Sequence, residues 1–131
     1  MEQFKSITVN MTVIAIISLL LLAGNTQFRQ WSQFAKGEAA EKTGDLNQAM
    51  TGYESSIHMY TPFSPLITRA AERLWSMAEE AEKRGDRERA LITYRVLRSS
   101  FYSATWLLQP GEEWIKRCDE RIATIVTNKK R

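Results

Sequence analysis

The sequence predicts an all-α protein in which one N-terminal transmembrane helix precedes two helical hairpins and a C-terminal capping helix. Two observations predict this class: an uncharged apolar run at residues 7–24, and a pattern at residues 38–53 that recurs at residues 79–94. Repeats of this kind typically mark stacked helix-turn-helix units. A third observation is the 3–4 spacing of apolar residues after residue 27, which favours helices. At 131 residues the chain suits one domain of modest size.

The amino-acid composition limits the classes of function that we expect for this protein. Eighteen basic and fifteen acidic residues give a net charge of +3, which is too mild and mixed to favour nucleic acid binding. The single Cys118 excludes an internal disulfide and a cysteine-based metal site, and we expect it in the core, with an intermolecular disulfide as the alternative. His58 is also alone, and we expect it at the surface. We therefore predict no enzyme, no catalytic residue, no cofactor and no metal.

Residues 1–6 form a short tail, and residues 7–24 are predicted to be a membrane anchor. The run carries no charge, is apolar on every side from Val13 to Ala23 and is just long enough to cross a bilayer core. A cleaved signal peptide is the alternative. Against it, Lys5 is balanced by Glu2, no small-x-small cleavage site follows, and Asn25 stands where a lipoprotein would carry its acylated cysteine. We therefore predict an uncleaved anchor.

The orientation of this anchor depends on a near-tied charge count, with Lys5 on one side and Arg29 and Lys36 on the other. Because a very short tail before an anchor usually stays in the cytoplasm, we expect the C-terminal part outside it. Asn10 lies within the apolar run. We predict that its amide contacts another membrane helix, since such groups need a partner, with snorkelling toward the interface as the alternative.

The repeated stretch explains the hairpins. Gly44 and Gly85 each follow a helical run and are expected to close it with a positive φ, and the aspartates after them are expected to cap the next helix. Ala49 and Ala90 are small where two helices must approach. The matched pairs are Glu38/Glu79, Ala40/Ala81, Glu41/Glu82, Lys42/Lys83, Gly44/Gly85, Asp45/Asp86, Ala49/Ala90 and Tyr53/Tyr94.

The hairpin region is predicted to span residues 25–109. Its first helix, 27–43, carries an apolar stripe of Phe28, Trp31, Phe34 and Ala35, and no proline separates it from the anchor, so the two are expected to be nearly continuous. A second helix follows at 45–59 and ends at a proline-containing loop. The second hairpin is predicted at 66–84 and 87–100. The inward residues of its first helix are expected to be Ile67, Ala70, Ala71, Leu74, Met77, Ala78 and Ala81. The capping helix is expected at 110–127 and a solvated basic tail at 128–131.

Gly-Asp, an alanine four residues after the Asp and an aromatic four residues later resemble the second half of a tetratricopeptide repeat (TPR). The small position of its first helix is Gly37 in one copy and Ala78 in the other. The pattern covers residues 31–102 and departs from the family in three ways. Its period is longer than the usual ~34 residues, Gln33 or Leu74 occupies the Trp position, and the closing proline is displaced to Pro62 or missing.

The resemblance implies a partner-binding groove lined by the first helix of each repeat. These residues are Trp31, Phe34, Glu38, Glu41, Lys42, Glu72, Trp75, Glu79, Glu82 and Lys83. Such a face would bind a basic or amphipathic segment. The alternative is that Phe34 and Trp75 pack between the repeats or under the C-terminal helix. A basic set is expected on the opposite faces, solvated or near lipid head groups. It comprises Arg69, Arg73, Arg95, Arg98, Lys116, Arg117 and Arg121.

Four segments of the soluble part also look like a group of short bacterial envelope proteins that accompany proton channels of the ExbB/ExbD (TolQ/TolR) type. They begin at Tyr60, Ala71, Leu97 and Pro110. The resemblance implies a non-enzymatic adaptor or scaffold in the inner membrane with a periplasmic domain. Three alternatives stay open: a translocon-associated periplasmic chaperone with TPR-like repeats, a self-assembling membrane-anchored oligomer, and an organelle import receptor.

Overall fold

A computed structural model describes residues 1–130 and contains five helices and no strand within them. The helices are α1 (Glu2–Lys42), α2 (Leu46–His58), α3 (Pro65–Lys83), α4 (Arg87–Ser103) and α5 (Glu112–Lys129). The predicted all-α class is confirmed. Consecutive helices pack against one another from α1 to α5, so that α1 with α2 and α3 with α4 form two hairpins. Helix α5 packs on α4 at the end of the array.

Helix α1 is one uninterrupted helix of 41 residues, which confirms the expected continuity. Every residue before Gln30 is exposed. Helix α1 contains an 18-residue stretch with a mean hydropathy of 2.3, and none of this stretch is buried inside the protein. By length and composition this helix could cross a membrane. The remainder of α1 forms the first hairpin with α2. One continuous helix therefore contains both the apolar run and part of the domain core.

The two hairpin turns have the same design, as the repeat predicts. Gly44 and Gly85 both adopt φ +80, and the following amides of Asp45 and Asp86 donate to carbonyl oxygens of the preceding helix at 2.9 Å. Each Asp side chain then accepts a hydrogen bond of 3.1 Å from the backbone N–H three residues later. These turns combine a left-handed glycine cap with an N-cap, which satisfies backbone groups at both helix ends.

The core follows the predicted stripes in α3 and differs from them in α1. All seven predicted inward residues of α3 are buried: Ile67, Ala70, Ala71, Leu74, Met77, Ala78 and Ala81. In α1 the buried positions are Gln30, Phe34, Gly37 and Ala40, whereas Phe28 and Trp31 are 65% and 57% exposed. The predicted stripe of α1 therefore holds at Phe34 and is wrong at Phe28 and Trp31. Two glycines at the α1–α2 contact determine which face of α1 turns inward.

Those glycines bring α1 and α2 unusually close together. A Cβ atom added at Gly52 would lie 2.6 Å from the backbone nitrogen of Gly37 and 2.7 Å from its Cα. A Cβ atom at Gly37 would lie 3.0 Å from the ring of Tyr53. In the second hairpin the matched positions are Ala78 and Thr93, both buried. The first hairpin is thus packed backbone to backbone, and the sequence repeat did not reveal the role of Gly52.

Helix α1 leaves the domain at what we call the proximal end, formed by Gln30, the α2–α3 loop (residues 59–64) and the α4–α5 loop (residues 104–111). The Gln30 side chain is fully buried and donates to the carbonyl oxygens of Ser56 at 3.1 Å and Met59 at 2.9 Å. The hydroxyl of Ser64 donates to Gln30 Oε1 at 2.6 Å. The distal end comprises the turns at residues 43–45 and 84–86 and the end of α5.

Several predicted boundaries change, and residues 2–6, expected as a tail, form the start of α1. Helix α4 continues to Ser103 instead of ending near Ser100, because Leu97, Ser100 and Phe101 remain buried. Helix α5 begins at Glu112 after a left-handed Gly111, with φ +68, and continues through Lys129. Residues 128 and 129, expected in the tail, are therefore helical. Arg131 lies outside the described residues.

Candidate functional site

In the first repeat, the predicted groove residues contact arginines of α3. The Phe34 side chain is only 3% exposed, and its ring centre lies 5.4 Å from that of Tyr53 and 4.8 Å from the guanidinium carbon of Arg69. The Glu41 carboxylate accepts a hydrogen bond from Arg73 Nε at 3.1 Å and a second from its terminal nitrogen. The Tyr53 hydroxyl donates to the same carboxylate at 2.5 Å. We call this set the first contact unit.

The second repeat builds a similar arrangement with α5, except that the buried Tyr94 hydroxyl has no hydrogen-bond partner among the described residues. The ring of Trp75 lies 4.9 Å from that of Tyr94, and the guanidinium carbon of Arg117 is 4.3 Å from its centre. The Glu82 carboxylate accepts from Arg121 Nε at 2.8 Å, with a second hydrogen bond from the terminal nitrogen. This is the second contact unit. Helix α5 therefore meets the second hairpin in the way that α3 meets the first.

The contact units correct one expectation of the sequence analysis. Arg69, Arg73, Arg117 and Arg121 were expected on faces opposite the groove, but they lie against its aromatic and acidic residues. The structure has the alternative packing of these aromatic residues. Phe34 packs between the repeats, and Trp75 packs under the C-terminal helix. Glu41 and Glu82 consequently have their charges compensated inside the domain.

Several predicted groove residues remain accessible. Lys42, Glu72, Glu79 and Lys83 are exposed, and Glu38 is half-buried, 3.6 Å from Arg69. Two shallow recesses adjoin the second contact unit: one of about 320 Å³ beside Trp75 and Arg117, and one of about 290 Å³ beside Glu79, Glu82 and Lys83. That these accessible residues bind a partner remains a prediction.

Two predicted contact residues lie away from these recesses. Trp31 is exposed on the proximal part of α1, where its ring lies 6.3 Å from that of Phe28. Asn10 is exposed on the apolar run of α1. Neither residue is brought to the recesses beside the second contact unit.

The sequence did not predict a groove between the hairpins at the distal end. It has a volume of about 430 Å³, and its apolar lining comes from α2, α3 and α4. The lining residues are Glu41, Leu46, Asn47, Met50, Met77, Glu80, Arg84, Asp86, Glu88, Arg89, Ile92 and Thr93. Ile92 is 51% exposed there. We call this the distal groove. Most of its lining residues belong to α2 and α4, the second helices of the two hairpins. The family resemblance instead places the binding face on the first helices.

The ion pairs of the contact units are expected to stabilise the array measurably. A double-mutant cycle on Glu82→Gln and Arg121→Gln should give a coupling energy of about 1 kcal/mol, because the pair is bidentate and Glu82 is largely covered, at 16% exposure. The matched control is Glu80 with Arg84, a single contact of 3.9 Å between side chains that are both more than half exposed. Its coupling should stay below about 0.5 kcal/mol. Equal couplings measured by urea unfolding in detergent would contradict this prediction.

The single histidine and the single cysteine of the chain lie on different helices, His58 on α2 and Cys118 on α5. Within residues 1–130, no three or more His, Cys, Asp or Glu side chains are placed to hold a metal ion. His58 is exposed at the end of α2, 3.8 Å from Glu54, in agreement with its predicted surface position. Cys118 is fully buried on α5, as predicted for a core residue.

Burial gives Cys118 a testable property. Desolvation raises the pKa of its thiol to about 12, and the Asp119 carboxylate adds to the effect. Because only the thiolate is nucleophilic, alkylation of the folded protein at pH 8 should be about 1000-fold slower or more than that of an exposed cysteine. Thiol labelling with and without denaturant checks this, and full reaction should occur only in denaturant. Rapid labelling of folded protein, or a disulfide-linked dimer, would contradict it.

Comparison with protein-family models, curated proteins and solved structures found no match for this chain.

Proposed function

We propose that the protein is a non-enzymatic, single-pass membrane adaptor whose TPR-like domain holds partner proteins at the bacterial inner membrane. The observation that carries this proposal is the dual role of α1. Its N-terminal part contains the uncharged, mostly apolar run of residues 7–24 and is unburied, while its C-terminal part is built into the domain core through Phe34, Gly37 and Ala40. An unburied apolar segment of this length needs lipid or other membrane helices around it.

The domain offers two surfaces to a partner. The distal groove combines apolar side chains such as Met50 and Ile92 with a charged rim, which suits an amphipathic helix or loop. The recesses beside the second contact unit add the exposed Glu79 and Lys83. Both surfaces are shaped by packed helices, so a partner would meet a preformed site.

The proposed partner is a proton channel of the ExbB/ExbD (TolQ/TolR) type, with the domain in the periplasm. This part of the proposal comes from the sequence resemblance. The exposed amide of Asn10 on the apolar part of α1 is the residue we assign to contact with a channel helix. We assign the charged residues beside the recesses, such as Glu79 and Lys83, to contact with the soluble parts of the channel.

The test is co-purification of the C-terminally tagged full chain from bacterial membranes. Channel subunits should be recovered in fixed proportion, and both Asn10→Leu and Ile92→Gln should reduce their recovery. Val126→Gln is the matched control for Ile92→Gln, because Val126 is also an exposed apolar residue but does not line the distal groove. Heterogeneous periplasmic clients would favour the chaperone alternative, and copies of this chain alone would favour the oligomer. A cytoplasmic C-terminal reporter would overturn the periplasmic orientation.

A further inference from the structure

The most exposed apolar side chains of the domain are concentrated at the proximal end. Among residues 43–130, the large hydrophobic side chains that are 78% exposed or more are Phe63, Trp106, Leu107 and Leu108. All four lie in the α2–α3 and α4–α5 loops. Neither loop contains a charged residue, although charged residues make up 25% of the chain. Such a cluster marks an interaction surface.

The two loops adjoin each other and are held in place by hydrogen bonds. Tyr60 and Pro62 of one loop line a cavity of about 790 Å³ together with residues 104–110 of the other, and His58 and Ser103 at the adjoining helix ends complete its lining. In the α4–α5 loop, Gln109 Nε2 donates to the Phe101 carbonyl at 2.9 Å, and the hydroxyl of Thr105 donates to Gln109 Oε1 at 2.5 Å. The first bond ties the loop to α4, and the second closes the loop across its three apolar residues.

Phe63 is the residue that folding explains least. Its φ of +66 lies in the left-handed region, which disfavours residues with a Cβ, and its side chain is 103% exposed. The side chain therefore makes no contribution to the core while the backbone conformation carries a cost. A bulky aromatic side chain at such a position has a reason outside the folded domain itself.

The position of the loops relative to α1 indicates what that reason is. The apolar run ends at residue 24, six helical residues before Gln30, which corresponds to about 9 Å at the rise of an α-helix. The head-group layer of each leaflet is roughly 5–8 Å thick. Because Gln30 is bonded to the α2–α3 loop, both loops lie at the level where the bilayer surface would meet α1.

We propose that these two loops insert Phe63, Trp106, Leu107 and Leu108 into the head-group region of the bilayer that α1 spans. Phe28 and Trp31, exposed on α1 at the same level, complete an aromatic belt of the kind found at membrane interfaces. The bilayer surface thereby becomes a second attachment of the domain. This inference rests on the proposed membrane anchoring of α1, and lipid is the occupant to which the two uncharged loops are suited.

Fluorescence quenching in vesicles of phosphatidylethanolamine and phosphatidylglycerol tests this with the full chain. An environment-sensitive dye is attached at Leu107→Cys, at Leu20→Cys in the apolar run, or at Lys83→Cys on the distal end, since the buried Cys118 should not react. Lipids that carry a spin label near the head group should quench the dyes at 107 and 20 about twofold or more, and the dye at 83 far less. Leu107 and Lys83 are exposed, so neither change removes core packing.

The possible outcomes distinguish the insertion of the loops from the membrane anchoring of α1. Quenching at 20 with none at 107 would overturn the loop insertion and leave the anchor intact. No quenching at 20 would overturn both. Shielding of position 107 only when a partner protein is added would overturn lipid as the occupant. A label-free version uses brominated lipids, where Trp106→Phe should remove part of the quenchable tryptophan emission; an unchanged quenchable fraction would also overturn the insertion.

Discussion

Replacing Gly52 with alanine should destabilise the domain by about 3 kcal/mol, although alanine is the better helix former by about 1 kcal/mol. The added methyl group would lie 2.6 Å from the backbone nitrogen of Gly37 and 2.9 Å from the carbonyl oxygen of Gln33. Because these atoms belong to the backbone of α1, no side-chain rotation relieves the contact. The two helices must separate, and the contacts that Phe34 and Tyr53 make across the same interface weaken with them.

Urea unfolding of the full chain in detergent micelles measures this change. The matched control is Gly44→Ala, the same substitution at a turn where a Cβ atom has open space around it and only the positive φ is unfavourable. That variant should lose about 1 kcal/mol. Equal losses in the two variants would show that the α1–α2 contact tolerates an additional methyl group, contrary to the packing described above.

Replacing Gln30 with leucine should cost about 3 kcal/mol, chiefly at the proximal end. The change removes the buried amide that pairs the carbonyl oxygens of Ser56 and Met59 and accepts from Ser64. Leaving buried polar groups without partners costs more than a new apolar side chain gains. Hydrogen exchange should therefore accelerate first in the α2–α3 loop, while the distal turns keep their protection.

Gln33→Leu is the control for this variant, because it makes the same substitution one turn along α1 at a half-buried position. Its effect on unfolding should remain within about 0.5 kcal/mol, as is usual for positions without buried polar partners. If both variants behave alike, the Gln30 hydrogen bonds do not hold the α2–α3 loop against α1.

What the sequence predicts well is the local chemistry. The Gly-Asp turns were predictable because the positive φ of Gly44 and the cap formed by Asp45 depend on a few adjacent residues. The inward face of α3 was predictable because its small and apolar residues recur at helical spacing. The continuity of α1 followed from the absence of proline between the two parts of the helix.

Properties that depend on residues far apart in the chain were not predictable in this way. Gln30 is polar, and its burial becomes favourable only when the end of α2 and Ser64 are in place around it. The carboxylates of Glu41 and Glu82 have the spacing of a solvated helix face, yet each meets an arginine 32 or 39 residues further along the chain. Glu41 and Glu82 occupy matched positions of the sequence repeat, but the arginines that they contact become evident only when α3 and α5 are packed in place.

The uninterrupted α1 also sets a working distance. From residue 24, where the apolar run ends, to the end of the helix at Lys42 the chain rises about 27 Å, and this rise sets the height of the distal groove above that point. A flexible linker would instead let a domain explore a wide volume, at a low effective concentration for any one target. A partner fixed in the same membrane would have to present its binding segment within that narrow layer. Under the proposed anchoring, α1 would therefore select partners by height as well as by surface chemistry.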